Sequence, residues 1–252
     1  MTKTMIKKNF KQKKAKRLST SDYIFNIIVY SFSIMILLAV VYPVYFLIIA
    51  SFSDPYAVSG GKVWFYPVGF TLDGYKELLR HNDIWRGYWN TILYTVVGTF
   101  IGLAVNIPAA YALSRKDLFG RNAIMFLFVF TMFFNGGLIP TFLTIKDFHL
   151  YNTFWVMVLP FSVSVYNIIV ARTFFSTSIS PDLWDAARID GCGNLRYFFK
   201  IVFPLSKAIL SVIGLWTAVG QWNSYFNALI YLKDTRLYPL QIILRDILII
   251  NN

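Results

Sequence analysis

Residues 23–53 of this chain contain no Asp, Glu, Lys or Arg. A helix needs about 20 apolar residues to cross the hydrocarbon of a bilayer, so this run alone is long enough to span it. It is too long for the apolar core of a secretory signal, which is about 7–15 residues. An uncleaved first span is therefore expected near residues 24–50, with Pro43 as a kink towards its outer half. The rest of the chain has the same character. Of its 252 residues 57% are hydrophobic and only 14% charged, against about 25% charged in an ordinary soluble domain. The expected fold class is an all-α, polytopic transmembrane bundle.

Ahead of the first run, residues 1–20 hold eight Lys and Arg residues and no acid, which reads as a basic cytoplasmic tail in front of a membrane domain over 21–252. Residues 51–89 are mixed and polar, punctuated by Gly60, Gly61, Pro67 and Gly69, with Trp64, Trp85, Tyr88 and Trp89 suited to a membrane interface. They are placed outside, with a short amphipathic helix over 72–79. Further spans are expected at 90–113, 123–145, 153–173 and 201–223, five in all. The second carries Gly98 and Gly102 in GxxxG spacing, which lets helices approach closely. The third contains Asn135-Gly136-Gly137 and Pro140, which imply a break or kink. Such a break either lines a pathway or serves packing. Residues 225–252 form an outer segment, and the apolar run 240–250 is too short to span.

On this topology sixteen of the 24 Lys and Arg residues fall on the side of the tail and eight on the other, as the positive-inside rule requires. The formal charge of +12 is thereby explained by topology and lipid headgroups, with no nucleic-acid partner expected. The single Cys192 excludes an intrachain disulfide and is read as an inert thiol.

The polar interval 180–204, SPDLWDAARIDGCGNLRYFFKIVFP, lies between the fourth and fifth spans. Ser180 can cap a helix, Pro181 suits its first position, and Asp182 puts a negative charge in its first turn. Ala186 and Ala187 offer a small face to an approaching surface. Gly191 stops the helix, because glycine tolerates the left-handed conformation. Asn194 can cap a second helix running towards Ile201 and Pro204.

The spacing Asp185-Ala186-Ala187, three residues, Gly191, nine residues, Ile201, one residue, Phe203-Pro204 resembles the "EAA" loop of ABC importer permeases, with Asp185 where Glu is usual and Phe203 where Leu is usual. The stretches YPVYFLIIASFSDP, AAYALSRKDLFGR, FFNGGLIPTF and WNSYFNALIYL extend the resemblance along nearly the whole chain. They point to the carbohydrate-uptake branch, similar to maltose-system G-type and LplC-like permeases. The resemblance implies a type I importer permease in the cell membrane. Its 180–204 loop, with Asp185, Ala186, Ala187, Asp190, Gly191, Ile201 and Pro204, would couple to a cytoplasmic ABC ATPase dimer. A second permease and an extracellular solute-binding protein would complete the assembly. It further implies a sixth span after residue 252, so the chain is expected to be C-terminally truncated.

No cofactor is expected in this chain, because ATP would be used by the partner: Gly61-Lys62 lacks the upstream glycine and the Ser/Thr of a phosphate loop. No embedded Asp, Glu or His cluster suggests proton coupling. Neither catalytic residues nor metal ligands are expected, since His81 and His149 lie far apart and no HExxH or DxD-like cluster occurs. A transporter for another solute (a peptide or polyamine) and a non-transporting membrane scaffold are the rival readings. For the pathway, Asn106, Asn135, Asn167, Gln221 and Asn223 are uncharged hydrogen-bonding residues within or at the ends of spans, with Trp222 beside the last two. These amides either suit sugar hydroxyls or bond helix to helix, at about 0.6 kcal/mol on average.

Overall fold

The computed structural model describes residues 20–250, so the basic tail expected over 1–20 lies outside the described residues apart from Thr20. Among the described residues all regular structure is helical. The chain divides into two compact units, at residue 77.

In the first unit α1 (Thr20–Ser51) continues past Pro43 and is exposed almost everywhere, with Ile49 its one buried residue. The chain then folds back on the end of α1. Buried Ser53 donates its hydroxyl to Ile49 O and accepts from Val68 N–H, while Phe70 stacks on Phe52. Asp54 caps α2 (Pro55–Ser59) by accepting from Tyr56 N–H. The amphipathic helix expected at 72–79 is α3 (Asp73–Arg80), and the boundary between the units in the sequence falls within it.

The second unit is organised around α4 (Asn82–Ser114), a single 33-residue helix. It begins well before the expected span at 90–113. Of the other expected spans, none is one straight helix. The third is α5 (Arg121–Phe133) and α6 (Leu138–Asp147), bent by 115°. Asn135 Oδ1 accepts from Gly137 N–H, and Gly137 has φ +82°, so the break is made by an Asn turn and a glycine. Pro140 sits in the first turn of α6, where its missing N–H is not needed. The fourth is interrupted at Pro160 and splits into α7 (Phe154–Val158) and α8 (Val165–Ser178), the latter capped by Ser164. The fifth bends by 81° at Ser206, between a segment ending at Leu205 and α12 (Lys207–Trp222). By length and composition, α1 and α4 can cross a membrane unbroken, and the two bent pairs bring the count to four. The third span thus breaks where expected, and the fourth and fifth are interrupted as well, close to Pro160 and Pro204, which remove backbone donors that a straight helix uses.

Between α8 and the Ser206 bend lie α9 (Pro181–Ile189) and α10 (Asn194–Tyr197), a π turn over Phe198–Val202, and α11 (Phe203–Leu205). Pro204 has no N–H for the carbonyl four residues back, and Phe203 N–H bonds Phe198 O instead, which is the wider π register. After α12 come α13 (Tyr225–Tyr231) and α14 (Leu240–Ile250). The expected outer segment is therefore largely helical, and it is tied back to the first half of α4. Asn90 Nδ2 donates to Arg236 O and Tyr238 O, Tyr94 Oη donates to Leu237 O, and Leu240 N–H donates to Thr91 Oγ1.

Two apolar clusters flank the middle of α4. One gathers Tyr94 with Ile145, Val156–Val158, Tyr231 and Ile242. The other gathers Ile107, Ala110 and Leu113 with Ile168, Phe175, Tyr197, Val202 and Ile213. Between them α12 approaches at the GxxxG pair. A Cβ at Gly98 would lie 2.7 Å from Gln221 Cδ, and one at Gly102 would lie 2.9 Å from Thr217 Cγ2 and 3.3 Å from Ser162 O. Gly102→Val is expected to destabilise the protein by about 1–3 kcal/mol through overpacking. Gly214→Ala, whose Cβ would meet only Leu103 Cδ1 at 3.5 Å, should leave stability near wild type. Thermal unfolding of the detergent-purified protein checks both.

Candidate functional site

The 180–204 interval folds as an exposed helix and turn. Ser180 Oγ accepts from Asp182 N–H at 3.3 Å and Pro181 opens α9. At the other end Asp190 N–H bonds Ala186 O, Gly191 N–H bonds Arg188 O and Cys192 N–H bonds Ala187 O, closing a Schellman-type turn. Gly191 has φ +71°, and nothing lies within 4 Å of where its Cβ would be. The glycine is thus required by its backbone angle and not by crowding. The two alanines differ in exposure: Ala186 is exposed, whereas Ala187 is buried in the apolar cluster around Ile107. Only half of the expected small face is open. Asp185 and Asp190 are exposed, Ile201 is half-buried, and Pro204 is exposed. Asn194 is not a cap. Gly193 takes that position in extended conformation, and Asn194 is the first residue of α10.

The expected pathway residues separate into two groups. Asn167 and Gln221 line one cavity of about 300 Å³, together with Phe161, Ser162, Ser164, Trp216, Thr217, Gly220, Ser224 and Asn227. Asn106 stands behind its wall with no exposure. Its Nδ2 donates to Gly102 O at 2.7 Å and Ser162 O at 2.8 Å, and its Oδ1 accepts from Ser164 N–H at 2.9 Å. This amide holds the break between α7 and α8 and does not face the cavity. Asn135 is exposed at the α5–α6 break, and Asn223 Nδ2 bonds Val219 O of its own helix. Neither joins the cavity. Trp222 packs edge-on against Tyr88, so the aromatic faces at the cavity are those of Trp216 and Phe161.

A family model described as the binding-protein-dependent transport system inner membrane component matches residues 84–244, from the first turn of α4 into α14. The chain belongs to that family. It is 39% identical over 229 residues to the polygalacturonan/rhamnogalacturonan transport system permease protein YtcP of Bacillus subtilis, covering 91% of this chain and 80% of the relative. Protein LplC of the same organism is 35% identical over 210 residues, covering 83% of this chain and 71% of LplC. Among solved structures, a bacterial ABC transporter that imports the acidic polysaccharide alginate matches with a TM-score of 0.89 and 36% identity, over 93% of this chain and 83% of that one. The fold is that of a type I ABC importer permease.

In this permease the cavity residues missed in the sequence carried a readable signal. Thr217 and Gly220 stand at i and i+3 on α12, with the expected Gln221 at i+4, a polar and small stripe on one helix face. Ser162, Ser164, Ser224 and Asn227 had no such pattern, because a chain break and the turn after α12 bring them in. Arg115 was also missed. It follows α4, its guanidinium grips Asp117 through both oxygens at 2.9 and 2.7 Å, and it lies 3.9 Å from the Trp184 ring centre. That fork holds the Asp117 carboxyl below its ordinary range. Among the described residues no group of three or more His, Cys, Asp or Glu side chains could hold a metal.

Asn106→Leu should expose how much the permease depends on that amide. It would strip Ser162 O and Ser164 N–H of a buried partner, at about 1–3 kcal/mol for each group left unpaired. A fall in unfolding temperature of the purified permease, larger than for Asn223→Leu, is the expected result.

Proposed function

We propose that this permease is a membrane subunit of an ATP-driven importer, that its 180–204 loop faces the cytoplasm and docks on a separate ABC ATPase dimer, and that its solute is a carbohydrate. A second permease and an external solute-binding protein complete the assembly. The observation that carries the docking is the exposed helix and turn. Asp185, Ala186, Asp190 and Gly191 are open to solvent, and Ile189 and Leu195 are 88% and 76% exposed on the same polar loop. Large apolar side chains so exposed on a polar loop mark an interaction surface.

The cytoplasmic placement of this loop and of the N-terminus is supported by the excess of Lys and Arg on their side. ATP hydrolysis is assigned to the partner, since the chain contains no GxxxxGK[ST] run to cradle phosphates. Apolar side chains along α1, exposed from Tyr23 to Ile48, suit contact with lipid. Once ATP closes the ATPase dimer, α9 would be carried with it, and the bundle would rock between inward- and outward-facing states.

The carbohydrate reading draws on the relatives' names, two of which specify polysaccharides, and on the cavity. Amides of Asn167, Gln221 and Asn227 stand beside serine and threonine hydroxyls and the aromatic faces of Phe161 and Trp216. Sugars offer the matching surfaces, hydroxyls and apolar ring faces. None of the lining residues is charged, which does not suit a polyamine, whose ammonium groups call for carboxylates. Within the carbohydrates, this chain's share of the pathway suits hydroxyl recognition, and any uronate charge would be met elsewhere in the assembly.

A tagged pull-down from native membranes in mild detergent tests the assembly. Co-purification of an ATPase, a second permease and a binding protein is the expected result, and their absence would favour the scaffold reading. In proteoliposomes of the whole assembly, Gly191→Val should insert normally but lose uptake about tenfold, because a β-branched residue resists φ +71°. Gly191→Asn, which tolerates that angle, should retain most of it. Normal uptake in the valine variant would remove the docking role. Asn167→Ala and Gln221→Ala should each raise the half-saturating oligosaccharide concentration several-fold, and unchanged values would remove the cavity from the pathway.

A further inference from the structure

Of the nine residues of α9, only Trp184 and Ala187 are not exposed. The packed contacts of α9 with the bundle therefore centre on these two side chains, beside the chain ends and the attraction of Arg188 for Asp117. Ala187 is a methyl group in the apolar cluster, with no directional hold. Trp184 is held on two sides. Tyr197, almost wholly buried, meets its ring at 4.9 Å and 71°, and the Arg115 guanidinium lies 3.9 Å from its centre. Arg115 is itself fixed. Its side chain is 16% exposed, Asp117 takes both sides of its fork, and its carbonyl accepts from Arg121 Nη1. It directly follows the last residue of α4. From there α4 continues as one helix, with Pro108 inside it, to Gly102 and Gly98, where Thr217 and Gln221 of the cavity lean on it. The distance from Arg115 to Gly98 is about 25 Å at 1.5 Å per residue.

We propose that Arg115 is the positioning residue that couples the 180–204 loop to the solute cavity, gripping Trp184 of α9 and passing its displacement into α4. This rests on the importer reading above. A cation over an indole face is directional and worth most when partly desolvated, as here. The Arg115–Asp117 fork keeps the guanidinium plane in place while α9 moves.

The test measures ATP hydrolysed per solute imported by the complete assembly in proteoliposomes. Arg115→Met and Trp184→Leu keep bulk but remove the cation or the π face. Each should raise that ratio about tenfold while the ATPase still co-purifies. Trp184→Phe, which keeps a ring, should stay within about threefold of wild type, and Arg115→Lys, which keeps the charge but not the fork on Asp117, should fall between Arg115→Met and wild type. The double Arg115→Met/Trp184→Leu variant should be no worse than either single, because both remove the same contact. Unchanged coupling in both single variants would overturn the clamp. So would multiplying losses in the double variant, or failed assembly in Arg115→Met that Arg115→Lys does not rescue. A wild-type assembly that hydrolyses ATP without moving any solute would instead overturn the importer reading itself, and the clamp with it.

Discussion

A helical membrane protein can leave its helix only where something else satisfies the backbone, and Asn106 meets that requirement at the centre of this permease. The chain breaks between α7 and α8, around Pro160, in a segment whose neighbours are apolar. Lipid offers no partner for a freed carbonyl or N–H, each of which would cost several kcal/mol. The Asn106 amide supplies the missing groups in both senses, donating to Ser162 O and accepting from Ser164 N–H, with its second hydrogen on Gly102 O. With the break secured, Ser162 and Ser164 become walls of a cavity, and α8 is free to start afresh beneath Ser164.

The same economy of groups explains why the cavity sits where it does. Gly98 and Gly102 remove side chains from one face of α4, and α12 takes up the space with Thr217 and Gln221. Polar side chains on α12 are thereby packed against backbone, where van der Waals contact between close helices offsets the lack of a hydrophobic drive within the bilayer. Apolar clusters around Tyr94 and around Ile107 flank this zone along α4. The cavity is therefore bounded by packing on α4 as much as by the residues that line it.

How much of this was legible beforehand depended on the range of the interaction. Local signals were plain: the Ser180 cap, the Gly191 turn, the GxxxG pair, and the Asn135-Gly136-Gly137 break. Each depends on one residue's own conformational limits. The interruptions of the fourth and fifth spans were not legible, because hydropathy counts apolar residues and does not tell a proline that ends a helix from one, such as Pro43 or Pro108, that the helix continues past. Nor was the division of the polar residues. Asn106 and Asn167 are the same residue type in similar apolar surroundings, yet one is consumed by a backbone break and the other faces a cavity. That outcome is decided by residues about sixty positions away. The exposed loop after α4 looked like ordinary topology-setting charge, and only the fold shows Arg115 lying against Trp184.

Since α4 borders both apolar clusters, the cavity and the α9 end, it is the element on which the parts of this unit converge. This helix of 33 residues stays continuous through Pro108, whereas its neighbours are interrupted at Gly137, Pro160 and Ser206. A continuous element beside jointed ones suits an alternating-access device, in which some segments must move relative to others. Glycine is tolerated at three points of α4 despite its low helix propensity. Gly87, Gly98 and Gly102 each face a neighbour too close for a Cβ, and the contacts they permit fasten α4 to the elements around it.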